Sequence, residues 1–269
     1  MTIVFFGNTK YSIIGLKIVN ATYPISLVVT IPGSPVQTLA QQLNIDVLKT
    51  KILDQKVIQK IKGIKTDFFI VEDYGLILPK ELLNLPKIAP LNIHHSLLPK
   101  YRGPSPAPSA ILNGERNSGV SIIRIIEQVD AGPILGQLHY ELTPEQTTDS
   151  LLTKLNELGG ALVISVIKQY LDGLVKPLIQ DESRVTFTKR LTKEDGYFDI
   201  NNPPAPEILD RMIRAYYPWP GVWTRFRQGS SGQAKIVKFL PGGMMQMEGK
   251  KAVKFEVFLR GYPGFPIKT

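Results

Sequence analysis

The chain contains no cysteine and only three histidines among its 269 residues. The missing cysteine excludes disulfide bonds, thiolate metal ligands and a cysteine nucleophile. Three histidines also leave little material for a metal site, so none is predicted. No apolar run suggests a membrane span, and Met1–Gly7 leads straight into a strand-like run without the basic leader of a signal peptide. These features predict a cytoplasmic protein with no membrane partner.

Positive charge is concentrated near the C-terminus. The whole chain has a net charge of +9, and residues 225–269 alone hold nine Lys and Arg, Lys268 among them, against two Glu. A basic segment of this kind is typical of proteins that bind an anionic partner such as nucleic acid. A well-solvated surface that binds nothing explains the charge equally well.

The first half of the chain alternates between two patterns. Short apolar, β-branched runs predict strands at 2–6, 25–31, 67–71 and 89–94, and apolar spacing of three and four predicts helices between them. A further strand is predicted at 118–126 and a long helix at about 145–171. Strands that alternate with helices predict an α/β fold with a doubly wound, mainly parallel sheet.

The last third of the chain differs in composition. Residues 177–203 begin at Pro177, contain a polar run at 188–196 and end with Asn201-Asn-Pro203, and they predict a linker. Short β-like runs at 223–226, 234–240, 244–247 and 254–259 predict a small β-rich module. The predicted domains are therefore a catalytic domain at 1–176, a linker at 177–203 and a C-terminal domain at 204–269, in a chain expected to be a monomer.

Polar residues converge at the end of the strand at 89–94. Asn92 and His94 have the same parity on this strand and point to one face, while Asp130 lies in the turn after the next strand. A carboxamide can donate to an oxyanion, an imidazole can relay a proton, and a carboxylate can orient the imidazole. This set suits acyl transfer to an amine. Each residue also has an ordinary structural interpretation, and His95, of opposite parity, is expected to serve packing or solvent contact.

The same residues carry a resemblance to a known family. Asn92-Ile-His94, then Ser96-Leu-Leu-Pro-Lys-Tyr-Arg-Gly103 and Asp130-Ala-Gly132, resemble the folate-dependent formyltransferases. The segments Leu191–Gly196 and Ile213–Pro220 resemble the branch that formylates initiator methionyl-tRNA. The resemblance implies a Rossmann-like catalytic domain, a small, shortened OB-like C-terminal domain, and 10-formyltetrahydrofolate as the formyl donor.

The resemblance also implies roles for individual residues. Asn92, His94 and Asp130 would be catalytic. The folate would contact a larger set of residues, namely Leu85, Ile88, Leu91, Ser96, Leu97, Leu98, Pro99, Ile126, Gln128 and Val129. The methionyl-tRNA would contact Gly7, Asn8, Tyr11, Arg102, Lys250, Lys251 and Lys254.

Two features depart from the tRNA branch. Its members usually carry a basic loop after the second strand, whereas residues 30–35 here contain no Lys or Arg. The C-terminal module is also too short for a full five-stranded barrel. Transfer to initiator methionyl-tRNA is the favoured function, transfer to a small amine such as an amino sugar nucleotide is the alternative, and a silent RNA- or folate-binding protein is the third.

Overall fold

The computed structural model describes residues 1–228 and 233–267. Lys268, one of the nine basic residues counted above, lies outside the described residues. The chain divides into two compact units. The first comprises Met1–Pro106, Asn117–Glu141 and Leu152–Thr188, and the second comprises Ala107–Arg116, Leu142–Leu151 and Lys189–Thr269. The domain boundaries drawn from the sequence stay a prediction.

A seven-stranded sheet forms the centre of the first unit. Its strand order is β3-β2-β1-β4-β5-β6-β7. The first five of these strands run parallel, and β6 and β7 run antiparallel to their neighbours. The strands are β1 Ile3–Gly7, β2 Ile25–Thr30, β3 Val47–Lys49, β4 Phe68–Glu72, β5 Ala89–His94, β6 Asn117–Arg124 and β7 Ile134–Glu141. The mainly parallel sheet is confirmed.

Helices cover both faces of this sheet, which confirms the doubly wound arrangement. One face packs against α1, α2 and α6, and the opposite face packs against α3 and α4. Side-chain caps start two of these helices, because Ser34 accepts from Gln37 N and Asp54 accepts from Val57 N, both at 2.9 Å. The helices are α1 Ser12–Thr22, α2 Pro35–Gln42, α3 Gln55–Lys62, α4 Lys80–Leu83, α5 Pro106–Leu112, α6 Thr148–Leu171, α7 Pro206–Ala215 and α8 Phe255–Gly261.

Helix α6 is apolar and long, and it packs in the core of the protein. By length and composition its 24 residues could cross a membrane, which the apolar runs of the sequence did not predict. However, Val163, Val166 and Ile167 are fully buried against the sheet. Packing of this kind is what the core helix of a globular domain requires.

A second sheet lies in the C-terminal part of the chain. Its four antiparallel strands are β8 Val222–Phe226, β9 Lys235–Leu240, β10 Met244–Met247 and β11 Val253–Lys254, in the order β11-β10-β9-β8. This confirms a small β-rich C-terminal part. The strand predicted at 254–259 is wrong, because that segment forms α8. Its Phe258 is buried, and its ring packs near those of Tyr262 and Phe265, which follow the helix.

Candidate active site

The site begins at the carboxyl end of β5. Asn92 and His94 lie on the same face of the sheet, as their parity predicts, while Leu91 and Ile93 pack in the core of the opposite face. Asn92 is half-buried and His94 is almost completely buried. In open α/β sheets the crevice outside the carboxyl ends of the strands is the usual ligand site.

Asp130 joins these two side chains from the loop between β6 and β7. Its Oδ1 accepts a hydrogen bond from Asn92 Nδ2 at 3.3 Å, and its Oδ2 accepts one from Gly103 N at 2.8 Å. The same Oδ2 lies 3.6 Å from His94 Nδ1. Asp130 has a φ of +51°, a left-handed conformation that a non-glycine residue adopts only where its surroundings hold it. The structure thus brings together all three predicted catalytic residues.

The environment of His94 favours the neutral imidazole. Burial lowers the pKa of His94, and this effect outweighs the opposing influence of the Asp130 carboxylate and the Tyr101 carbonyl. The His94 Nε2 atom lies 3.0 Å from Tyr101 O. A neutral ring near pH 7 can accept a proton.

Arg102 supports this site from inside the protein, which corrects its assignment to the tRNA surface. The side chain is completely buried. Its guanidinium donates to Gln180 Oε1 at 3.0 and 2.9 Å and pairs with Glu182 at 2.7 Å. Gln180 Nε2 in turn donates to the carbonyl oxygens of Asp130 and Gly132. Sequence reasoning missed Gln180, because nothing local to it signals this contact.

The end of β1 and the loop after it hold three residues assigned to the acceptor. The Asn8 carboxamide is already engaged, because it donates to Tyr74 O and accepts from Thr30 Oγ1 and Ile31 N at 3.0 and 2.9 Å. Asn8 therefore ties the ends of β1, β2 and β4 together. Gly7 is the buried last residue of β1, and Tyr11 is half-buried immediately before α1. This loop lies at the same end of the sheet as His94.

His95 belongs to a second imidazole–carboxylate pair. Its Nδ1 lies 3.4 Å from Asp73 Oδ1, and Asp73 Oδ2 accepts from Thr9 Oγ1 at 3.2 Å. Burial would raise the pKa of the Asp73 carboxyl, but His95 and Thr9 together hold it below its usual range. His95 is buried, which fits packing, the first of its two expected roles, and the sequence did not reveal its contact with Asp73.

The residues assigned to the folate separate into two groups. Ile126, Gln128 and Val129 are exposed beside Asp130, with 41% and 50% exposure for Ile126 and Val129. Exposed apolar side chains next to the Asp130 carboxylate fit a flat aromatic ligand. Leu85 packs in the core of the same sheet face as Asn92.

The remaining residues of that pocket need a correction. Ile88 and Leu91 pack in the core on the opposite face of the sheet, so their side chains do not form one wall with Leu85. The segment from Ser96 to Pro99 is also built into the scaffold. Ser96 Oγ donates to Lys100 O at 2.7 Å, Leu98 is buried, and Leu97 and Pro99 are half-buried.

The three lysines assigned to tRNA lie in the second unit. All three side chains are exposed: Lys250 and Lys251 lie between β10 and β11, and Lys254 is the last residue of β11. Lys254 Nζ donates to Gly242 O at 3.0 Å. Among residues 1–228 and 233–267, no group of three or more His, Asp or Glu side chains is placed to hold a metal ion.

Comparison with known sequences identifies the family. Residues 20–167 match the family described as formyl transferase. The methionyl-tRNA formyltransferase of Roseiflexus castenholzii is 37% identical over 241 residues, which are 84% of this chain and 76% of that protein. The methionyl-tRNA formyltransferase of Dehalococcoides mccartyi is 30% identical over 98% of this chain and 97% of its own length.

Solved structures share the fold at lower identity. A sugar N-formyltransferase from a Shewanella species has a TM-score of 0.70 at 16% identity, over 93% of this chain and 99% of that chain. A methionyl-tRNA formyltransferase from Clostridium thermocellum has a TM-score of 0.63 at 17% identity, over 94% and 96% of the two chains. At these identities the likeness shows the fold alone, and the sequence matches decide the family. The chain belongs to the formyltransferase family, among relatives named methionyl-tRNA formyltransferase.

Proposed function

We propose that this enzyme transfers a formyl group from 10-formyltetrahydrofolate to the α-amino group of initiator methionyl-tRNA. The observation that carries the proposal is the meeting of Asn92, His94 and Asp130 at the end of β5. The relatives named methionyl-tRNA formyltransferase support the acceptor. Action in the cytoplasm and a monomeric state remain predictions.

The three residues suit the charge changes of formyl transfer. One Asn92 N–H bonds to Asp130, which leaves the other free to donate to the formyl oxygen as the amine attacks the formyl carbon. His94 accepts the proton that the amine loses, directly or through a water molecule, and Asp130 stabilises the imidazolium that forms. Collapse of the tetrahedral species breaks the bond between the formyl carbon and N10 of the folate. N10 takes up a proton, and the products are the formylated amine and tetrahydrofolate.

The alternative acceptor is the amine of an amino sugar nucleotide. It is favoured by the short connection between β2 and α2, residues 31–34, which contains no basic residue to contact RNA. The sugar N-formyltransferase of similar fold fits it as well, and an N-formyltransferase of similar fold is described in complex with folinic acid and dTDP-3-aminofucose. The sequence relatives favour methionyl-tRNA.

Formylation by the purified protein tests the proposal. We expect formylmethionyl-tRNA from the wild type with 10-formyltetrahydrofolate, and a kcat/KM that is about a hundredfold to a thousandfold lower in Asn92→Ala, because an oxyanion donor is lost. Asn84→Ala is the matched control, since Asn84 is exposed at the end of α4. The wild type, Asn92→Ala and Asn84→Ala should have the same melting temperature. Product from an amino sugar nucleotide but none from methionyl-tRNA would overturn the acceptor.

A further inference from the structure

A cavity of about 250 Å³ lies within the second unit, apart from the residues assigned to catalysis. Three of its lining residues are arginines, and they come from two segments of the chain. Arg211 and Arg214 lie one turn apart on α7, and Arg116 immediately precedes β6. Residues three apart on a helix share a face, so α7 presents two guanidinium groups to the same cavity.

The cavity wall holds two of these arginines in position. Gly114 has a φ of +67°, and a Cβ there would lie only 2.5 Å from Arg211 Cζ. The glycine therefore gives the guanidinium the space it occupies. Arg214 is fixed by Asp210, with its Nε 2.9 Å from Asp210 Oδ2, and by a bond from its NH1 to Gln146 O at 3.3 Å.

The guanidinium groups of Arg116 and Arg211 have unused donors. Within residues 1–228 and 233–267, neither Arg116 nor Arg211 has a hydrogen-bonded or ion-paired side-chain partner. Glu115 is the single carboxylate among the lining residues, and Asp210 pairs with Arg214, so three arginines face two carboxylates. Guanidinium groups prefer a planar, two-pronged contact with phosphate or carboxylate oxygens.

We propose that this cavity binds a phosphate group, with Arg116 and Arg211 as its direct ligands and Arg214 as a fixed positive charge at its wall. The cavity is smaller than most pockets for drug-sized ligands, but it has room for a phosphate or a pyrophosphate. The phosphate can belong to an RNA backbone or to a free nucleotide. The proposal does not rest on the proposed function, because the site is defined without reference to the formyl acceptor.

Calorimetric titration with inorganic pyrophosphate tests the cavity directly. The 269-residue protein is used without folate or RNA. We expect saturable binding that weakens as salt increases. Arg116→Gln and Arg211→Gln should each weaken it roughly tenfold or more, because each removes charge-assisted hydrogen bonds. Arg225→Gln, an exposed arginine on β8 of the same unit, should bind like the wild type.

Two results overturn the proposal. One is a wild type that does not bind millimolar pyrophosphate, and the other is equal weakening by Arg225→Gln. Circular dichroism and thermal unfolding check that every variant is folded, and Arg211→Lys keeps the charge should Arg211→Gln unfold. Arg211→Lys should bind pyrophosphate more tightly than Arg211→Gln and less tightly than the wild type.

The formylation assay then separates the two sources of phosphate. If the cavity serves an RNA backbone, the double variant Arg116→Gln/Arg211→Gln should raise KM for methionyl-tRNA at least tenfold with little change in kcat. If KM is unchanged while pyrophosphate binding is lost, the ligand is a free nucleotide. A protein that does not formylate tRNA at all would contradict the proposed function and leave the pyrophosphate result standing.

Discussion

The His94 ring lies between two hydrogen-bond acceptors. Its Nε2 is 3.0 Å from Tyr101 O, and its Nδ1 is 3.6 Å from Asp130 Oδ2. A neutral imidazole has one N–H, so it can donate to only one of them. Taking a proton from the attacking amine supplies the second donor and places a positive charge beside the Asp130 carboxylate. Burial keeps the ring neutral beforehand, which suits a proton acceptor.

Asp130→Asn should change the pH dependence of formyl transfer. The carboxylate raises the pKa of His94 against the effect of burial, so its removal should lower that pKa further. Activity that needs the neutral ring is lost as pH falls through this pKa, and the acid limb of kcat/KM should therefore move to lower pH. The plateau should fall by about a hundredfold or more, because the imidazolium is no longer stabilised.

The control for this change is Asp46→Asn, which removes one negative charge from an exposed position. Its pH profile should match that of the wild type. An acid limb that stays in place in Asp130→Asn, with a lower plateau, would show that Asp130 positions the site without setting the protonation of His94.

Contact between β4 and α1 depends on a glycine, Gly15, which has no side chain. Glu72 is completely buried at the end of β4, and its two carboxyl oxygens have no hydrogen-bond partner among the described residues. Burial raises the pKa of Glu72 well above its usual range, and Asp73 adds to the effect, which favours the protonated carboxyl. A Cβ on Gly15 of α1 would lie 2.0 Å from Glu72 Oε2. Glycine thus makes room for the carboxyl group.

Gly15→Ala should therefore destabilise the wild type, but it should not destabilise the Glu72→Ala variant, in which the carboxyl group is absent. We expect a loss of about 1–3 kcal/mol in the free energy of unfolding, as for other overpacked cores. In the Glu72→Ala background the same change should be neutral, or stabilising by up to about 1 kcal/mol, because alanine favours a helix over glycine. Urea denaturation of the four proteins gives the coupling energy, and a coupling near zero would contradict the contact.

Elements with a clear local pattern could be predicted from the sequence, and contacts between distant segments could not. Strand β5 has its predicted bounds at 89–94, because an apolar run there ends at a polar pair. The three-residue strand β3 was missed, since it is too short to show a period. Parity placed Asn92 and His94 together correctly. The bonds of Gln180 to the Asp130 turn join residues 50 positions apart, and no local pattern encodes them.

At the scale of the whole molecule, the net charge of +9 is unevenly distributed. The excess lies in residues 225–269, and exposed lysines of that segment include the three assigned to tRNA. Cationic groups that neutralise RNA phosphates release bound counterions, which makes binding depend on salt. Cations elsewhere on the surface raise the net charge without releasing counterions from a site.

Replacing Lys250, Lys251 and Lys254 together by Gln should weaken methionyl-tRNA binding and flatten its salt dependence. The slope of log Kd against log salt should fall by up to about 3, close to one for each lost phosphate contact. Replacing Lys56, Lys60 and Lys62 of α3 by Gln removes the same charge from exposed positions in the first unit. If both triple variants lose the same slope, net charge alone drives binding. A loss confined to the C-terminal lysines assigns the contact to them, because only groups that lie on the phosphates change the number of counterions released.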